Sequence, residues 1–518
     1  MVLAALSSAG CGSWDRQRTE FVEPFNRFLH RDFPRAIQSR DLPSVLGFYG
    51  GELKETPGFV ERKRKLLDRF ARIDYADDVI EEMRLAGGED RVEARLSLRV
   101  RGVAPAGELL SIDREDRIVC RRSREGWRIV EEKPAIDELI LSADRPIFQE
   151  DAEARGIRFV HESGGVMDRW GRIQNYAAGT GLAAGDYDGD GYDDLYLVNG
   201  RYCRLYRNKG DGTFEDVTTS SGASKSLSGE GRYAVFGDYD NDGDEDLFVG
   251  ILDAPSLLLV NNGDGTFTDR AEAAGLRPTE NTTGACWADF NRDGHLDLFI
   301  INGGNLLRHD PAPMHNAMNA TPDTLYMSNG DGTFTDRTAE SGTGHTGWAL
   351  TVAAQDYDLD GDEDIFIGND IGFSVLYQNQ GDATFKDVSF ESGVTRRGTG
   401  MGGSWGDPNG DGYPDLFVTG MASNSVWIVD LPDFPVPMPW WVNLFLKRVI
   451  KDVVKEMFDG NWYYVADGKG GFTETAASCG VRNSGWGWGG TFLDYDNDGR
   501  EDIYVLNGFI SGPDTQDL

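Results

Sequence analysis

Six times the chain writes Asp-x-Asp/Asn-x-Asp-Gly-x-x-Asp and follows it at once with an apolar strand pattern. The copies are DYDGDGYDDLYLV from Asp186, DYDNDGDEDLFVG from Asp238, DFNRDGHLDLFII from Asp289, DYDLDGDEDIFIG from Asp356, DPNGDGYPDLFVT from Asp407 and DYDNDGREDIYVL from Asp494. Successive copies start 52, 51, 67, 51 and 87 residues apart, which gives a unit of about 51 residues with two insertions. A fixed internal period decides the fold before any other feature is weighed, because such units stack on their neighbours to build a core.

The spacing has a direct chemical reading. Carboxylates at positions 1, 3 and 5, a glycine at 6 for the sharp turn, a backbone carbonyl at 7 and an Asp at 9 can wrap oxygen ligands around a hard cation such as Ca²⁺. The candidate ligands are Asp186, Asp188, Asp190, Tyr192 and Asp194 in the first loop, and Asp238, Asp240, Asp242, Asp244 and Asp246 in the second. Asp289, Asn291, Asp293, His295 and Asp297 form the third set, and Asp356, Asp358, Asp360, Asp362 and Asp364 the fourth. Asp407, Asn409, Asp411, Tyr413 and Asp415 form the fifth, and Asp494, Asp496, Asp498, Arg500 and Asp502 the sixth. Position-7 residues count as backbone ligands, so up to six calcium ions are expected. Loops three and five are the weakest, since Asn291 and Asn409 each replace a carboxylate and Pro408 constrains the latter. An EF-hand needs Glu at position 12, whereas Leu197, Val249, Ile300, Ile367, Val418 and Val505 stand there in strand patterns.

These loops also explain the charge. The net charge is −36, of which residues 1–150 contribute −2 and residues 151–518 contribute −34. Such a field repels a phosphate backbone, so nucleic acid is not an expected partner. Left without counter-ions, the crowded carboxylates would repel one another.

Upstream of the loops lie strands rich in glycine and small residues, as in GTGLAAGDYD and GMGGSWGDPN; downstream comes a hairpin phrase, LYRNKGDGTFEDVTTSSG at 205–222, with four relatives. One unit therefore supplies about four short strands, the size of a propeller blade, with small residues on the crowded innermost strand. The pairing of DxDGDGxxDLxV with LYxNxGDGTFxDVTxxxG resembles the FG-GAP/VCBS repeats of integrin α-like β-propellers, and more closely the bacterial cartilage-acidic-protein-like family. The resemblance covers roughly residues 155–518 and implies a mainly β fold: a six- or seven-bladed calcium-binding β-propeller, working at the cell surface or outside the cell in adhesion and recognition. The segment GIRFVHESG at 156–164 resembles an outer strand that could close the ring with the C-terminus.

Before the repeats, apolar spacing over Phe21–Tyr49 and Val60–Phe70 predicts helices interrupted at Pro24, Pro34 and Pro43. Alternation over RVEARLSLRV and a hairpin turning at Glu125-Gly126 predict antiparallel strands. This order resembles the nuclear-transport-factor-2-like (SnoaL-like) cone fold, a small α+β domain. The expected layout is thus a leader or disordered start at 1–19, the α+β domain at 20–148 and the propeller at 149–518, with insertions at about 303–322 and 423–460. His30 and Asp32 are readable as an acid/base pair or as a solvated helix end, and no catalysis is assigned to them.

MVLAALSSAG before Cys11 resembles the tail of a lipoprotein signal, which makes a lipid anchor at Cys11 and an extracytoplasmic, secreted or envelope-anchored location the expectation. Cys120, Cys203, Cys286 and Cys479 are scattered, which points to buried thiols rather than disulfides or a zinc site. The first insertion holds His309, Met314, His315 and Met318, readable as a polar surface loop or a softer-metal site. In the second, Val442, Leu446, Val449, Val453 and Met457 share a helical face beside Lys447, Lys451 and Lys455. Residues 440–458 are readable as an interfacial membrane helix or as a helix docked with its lysines toward the acidic loops. The leading expectation is calcium-stabilised recognition of a surface protein or glycan without catalysis. The alternative is a propeller-scaffolded carbohydrate-active enzyme, a lyase or hydrolase.

Overall fold

The computed structural model describes residues 25–143 and 151–507, except 26, 57, 86–90, 124–125, 135–138, 160–165, 168–172, 175–180, 201, 224–226, 228, 253, 277–280, 305–310, 314–315 and 423–455. They fall into two compact units that divide after residue 150. Cys11, His309, Met314, His315 and most of 440–458 lie outside the described residues.

In the first unit the expected long helices are short pieces. A π-helical stretch, Arg27–Asp32, runs straight into the α-helix Phe33–Gln38, and Pro34 marks the switch between them; Pro43 sits in the first turn of Leu42–Leu46, where a missing N–H costs nothing. A longer helix, Phe59–Asp68, follows. Strands Arg72–Leu85, Arg91–Val103, Leu109–Ser123 and Gly126–Pro134 pair antiparallel in chain order, and Leu139–Ala143 pairs with the third. The predicted alternation is real: Val92, Ala94, Leu96, Leu98 and Val100 are all buried. Asp32 is exposed and precedes the helix at Phe33, while the His30 side chain lies outside the described residues.

The second unit is a succession of antiparallel sheets, one per repeat. The first contains Leu182–Gly185, Asp194–Asn199, Tyr202–Asn208 and Phe214–Asp216. The second contains Glu230–Gly237, Asp246–Leu252, Leu257–Asn261 and Phe267–Asp269; the third Thr282–Ala288, Asp297–Asn302, Thr324–Ser328 and Phe334–Asp336. The fourth contains Ala349–Gln355, Asp364–Asn369, Val375–Asn379 and Phe385–Asp387; the fifth Gly402–Gly406, Asp415–Thr419, Trp462–Ala466 and Phe472–Glu474. A sixth has two strands among the described residues, Gly487–Leu493 and Asp502–Asn507.

Each hydrophobic core lies between one sheet and the next. In the second sheet Leu247 and Val249 pack toward the first sheet and Phe248 toward the third. In the third, Leu298 and Ile300 face backward and Phe299 and Ile301 forward. In the second to fifth sheets the strand after the acidic loop is buried on both faces, which is why its sequence reads as an unbroken apolar run rather than an alternation; its counterpart in the first sheet is alternately buried, and in the sixth it is partly exposed. First strands of neighbouring sheets approach closely: the Gly403 N–H bonds Thr351 Oγ1 at 3.0 Å, and a side chain at Gly402 would meet the Gly489 backbone at 2.9 Å.

Of the expected strand at 156–164, residues 156–159 are not in a strand and residues 160–164 lie outside the described residues. Residues 151–157 make a turn, with Arg155 N–H on the Asp151 carbonyl and Ile157 N–H on that of Ala152. The turn at 270–276 has the same bonds, Ala274 to Arg270 and Leu276 to Ala271. The Arg155 carbonyl accepts Phe214 N–H, as Ser221 does for Phe267 and Ala274 for Phe334. Phe148 to Gly156 also repeats the spacing of Phe214 to Gly222 and Phe267 to Gly275. Residues 151–157 thus repeat the turn that closes a hairpin phrase elsewhere in the chain. Cys120, Cys203, Cys286 and Cys479 are thiols, as expected, although Cys479 is exposed.

Candidate metal centres

The acidic loops join the first strand of each sheet to the second. Two left-handed residues shape them, at positions 4 and 6. Position 6 is Gly191, Gly243, Gly294, Gly361, Gly412 and Gly499 (φ 85 to 96°), where a Cβ would be strained. Position 4 is glycine in two loops but Asn241, Arg292, Leu359 and Asn497 in the others.

This turn aims backbone N–H groups at the first carboxylate. Asp186 accepts the N–H of Asp190 at 3.0 Å and of Gly191 at 2.8 Å, and Asp238, Asp289, Asp356, Asp407 and Asp494 repeat the pair. Position 5 turns back to accept position 7, as Asp190 does from Tyr192 and Asp242 from Asp244. Position 9 pins the sheet. Asp194 takes the N–H of Tyr187 at 3.2 Å and of Asn208 at 2.6 Å, and Asp246, Asp297 and Asp364 bond their equivalents.

Four loops bring carboxylates to one point. Ligand atoms of Asp186, Asp188 and Asp194 lie within 4.8 Å of one another, as do those of Asp238, Asp240 and Asp246, of Asp356, Asp358 and Asp360, and of Asp494, Asp496 and Asp502. Burial, and then neighbouring carboxylates, push Asp194, Asp246 and Asp297 up to about 7 and Asp364 up to about 8, against the lowering effect of their N–H donors. Asp188, Asp240 and Asp358 are shifted up for the same first reason. Each of these three position-3 residues also has a buried Oδ1 that meets no hydrogen-bond donor. A convergent set of anionic oxygens with one orphaned lone-pair donor fits a hard cation, which would supply the missing partner and cancel the repulsion.

Loops three and five are wired differently. Asn291 turns its amide onto Asp293 at 2.9 Å. In loop five Pro408 has no N–H to give Asp415, and two side chains replace it: Asn409 Nδ2 at 3.1 Å and the Tyr463 hydroxyl at 2.6 Å, both on Asp415 Oδ2. Tyr463 stands where the other sheets carry Leu205, Leu258, Leu325 and Leu376, and that single odd residue was the available sequence signal. Position 7 is used by side chains as well as backbone: Asp362 pairs with Arg292 of loop three at 2.8 Å, and His295 Nδ1 lies 3.0 Å from Asn241 Nδ2 of loop two. Sequence reasoning also missed Gln378, whose amide donates to Asp358 Oδ2 at 2.6 Å, and Arg207, 3.7 Å from Asp188.

Both insertions leave from the opposite end of the sheets. Residues 303–323 join Asp297–Asn302 to Thr324–Ser328, and residues 420–461 join Asp415–Thr419 to Trp462–Ala466, so their roots are a strand's length from the acidic loops. The described part of the first insertion is tied down by Ala317 N–H to the Ile371 carbonyl and by Trp348 Nε1–H to Asn319 Oδ1, and Met318 is exposed.

The FG-GAP-like repeat family matches this chain four times, over residues 186–249, 238–300, 316–367 and 356–418. Three of these stretches open at an acidic loop, and all four end with the apolar strand that follows one. These stretches are FG-GAP-like repeats, and with them goes a mainly β, propeller-like fold. The chain is similar to cartilage acidic protein 1: 27% identical to the human protein over 272 residues, covering 48% of this chain and 38% of that one. The mouse protein is 26% identical over 269 residues (48% and 39%), and that of Xenopus tropicalis 31% over 134 residues (25% and 20%). The chain thus spans less than half the length of the curated relatives it matches. Among solved structures, an Agrocybe aegerita protein that recognises non-reducing terminal N-acetylglucosamine aligns with 63% of this chain and 74% of its own. The identity is 17% and the TM-score 0.36, a likeness too loose to carry an argument.

Proposed function

We propose that the chain is an extracytoplasmic β-propeller of six or seven blades, held in shape by calcium, that presents its surfaces for adhesion to or recognition of a protein or glycan. The carrying observation is the orphaned oxygens of Asp188, Asp240 and Asp358, each inside a convergent carboxylate trio. In this reading the position-1 carboxylate is fixed by two N–H groups, position 3 offers its free oxygen, and position 9 ties the ion to the sheet core. Calcium supplies positive charge and oxygen coordination and no chemistry beyond that. The Asn-bearing loops three and five hold themselves with their own hydrogen bonds, so four ions rather than six are expected.

Similarity to cartilage acidic protein 1 supports an extracellular setting, and no helix among the described residues is long and apolar enough to cross a membrane. Attachment through Cys11 or through residues 440–458, and a nuclear-transport-factor-2-like cone for the first unit, belong to the same proposal. The test is calorimetric calcium titration of chelator-stripped protein with parallel thermal melts. Four sites and a melting temperature that climbs with calcium are expected, since an ion that binds only the folded state stabilises it by mass action. Absence of binding would refute the reading.

A further inference from the structure

We infer that Asp323, His345 and Asn369 form a second kind of cation site, away from the acidic loops, that takes one divalent ion of borderline softness such as Zn²⁺. The position of Asp323 explains why it is unusual. It immediately precedes the third strand of the third sheet, where other sheets carry Ser256, Ser374 and Asn461. Ser256, Asn461 and Asp323 each accept one backbone N–H there, whereas Ser374 Oγ meets no partner. Ser256 Oγ takes that of Ile251 at 3.4 Å, Asn461 Oδ1 that of Gly420 at 3.1 Å, and Asp323 Oδ1 that of Asn302 at 2.8 Å. A neutral residue therefore suffices, and the carboxylate is surplus. Asp323 is fully buried, and its second oxygen, Oδ2, meets no donor.

Other acceptors gather beside it. His345 Nδ1 lies 4.0 Å from Asp323 Oδ2, and the His345 side chain is 12% exposed. Asn369 Oδ1 is buried without a donor, and Asn302, whose N–H holds Asp323, has a buried Oδ1 in the same state. Gly347 shows how closely they converge: a Cβ built there would lie 2.7 Å from His345 Nδ1 and 2.5 Å from Asn369 Oδ1. Burying an unneutralised carboxylate costs several kcal/mol, and unpaired amide oxygens add to that cost. Water could satisfy the oxygens, and burial already pushes the Asp323 carboxyl toward its neutral form, but only a cation answers Asp323 Oδ2, the imidazole lone pair and the amide oxygen together. Carboxylate, imidazole and amide oxygen together suit a borderline ion better than calcium. Two ligands of one tetrahedral zinc sit roughly 3.4 Å apart, so the pair at 4.0 Å closes together when the ion binds. The ion would take the Nδ1 lone pair from the Gly347 N–H, now 3.0 Å away.

The test is zinc titration of the full chain in saturating calcium, comparing wild type with Asp323→Ser and His345→Gln. Serine keeps the acceptor for the Asn302 N–H, as Ser256 shows, and removes only the surplus charge. Wild type should take up one zinc ion and melt higher with it, and each variant should bind at least roughly tenfold more weakly. If Asp323→Ser fails to fold, His345→Gln carries the comparison. Wild type that binds no zinc, or zinc uptake unchanged in both variants, would overturn the site and leave Asp323 as a water-bridged acid.

Discussion

Removing the Tyr463 hydroxyl tests whether loop five stands without an ion. In four other loops the position-9 carboxylate receives a backbone N–H from position 2, at 3.2 Å from Tyr187, 3.3 Å from Tyr239, 3.1 Å from Phe290 and 3.3 Å from Tyr357. Pro408 cannot donate, and the phenol at 2.6 Å takes over on Asp415, which is fully buried. Tyr463→Phe keeps the ring packed against Phe492 and deletes only that bond. A hydrogen bond to a charged group is worth about 1.5–3 kcal/mol, and Asn409 at 3.1 Å remains to share the loss. The lower half of that range is expected, which for a unit of this size lowers the melting temperature by roughly 2–3 °C. The same drop should appear in excess calcium and in chelator. A drop that calcium abolishes would mean that an ion binds loop five, and no drop in either condition would mean that the hydroxyl does not replace the missing N–H.

Asp188→Asn should lower the calcium count by one of four in the titration while leaving the ion-free melt within about 0.5 kcal/mol of wild type, as expected for a residue that acts through the ion. Leu359, at position 4 with φ 61° and half exposed, should become Gly with a gain of about 0.5–1 kcal/mol by denaturant melts, because Gly189 and Gly410 fill the same position without strain. In the first unit Lys63 and Glu132 pair at 2.5 Å with both side chains under a tenth exposed. Lys63→Met should cost about 3–5 kcal/mol by stranding the acid, and adding Glu132→Leu should restore most of it; equal losses in single and double variants would contradict this. Changing Lys447, Lys451 and Lys455 together to Gln should leave calcium affinity unaltered, and tighter or weaker binding would show that those lysines reach the acidic loops.

The repeat was legible because its demands are local. A left-handed turn needs Gly at position 6, and a cation loop needs oxygens at a fixed spacing, so both are written as consecutive letters. The strand after each loop was equally clear, since Phe248 and its neighbours face two cores at once. What the sequence could not show was the side-chain wiring within and between the loops. That depends on Tyr463, 48 residues from Asp415, and on Arg292 reaching Asp362 of the next loop. The turn at 151–157 was missed because the apolar letters that follow it resemble a strand, whereas the Arg155 and Ile157 N–H groups bond backward. Of the prolines in the first unit, Pro34 stands at the break between a π-helical stretch and the α-helix that continues it, as expected of an interruption, while Pro43 occupies the first turn of a new helix.

The two ends of the sheets divide the labour of the second unit. At one end every loop has nearly the same length and the same internal bonds, a uniformity that suits a scaffold and leaves little room for selectivity. At the other end the connections range from the two residues between Asn199 and Tyr202 to the forty-two between Thr419 and Trp462. A strand of about six residues spans roughly 20 Å, more than twice the screening length of roughly 8 Å at physiological salt. Ions bound at the uniform end would therefore contribute nothing directly to contacts at the variable end. They would act there by fixing the sheets from which those connections rise. A ligand that needs calcium but touches only the variable end would thus lose affinity on chelation in step with the melting of the sheets, whereas one that contacts an ion would lose it at calcium concentrations where the fold still stands.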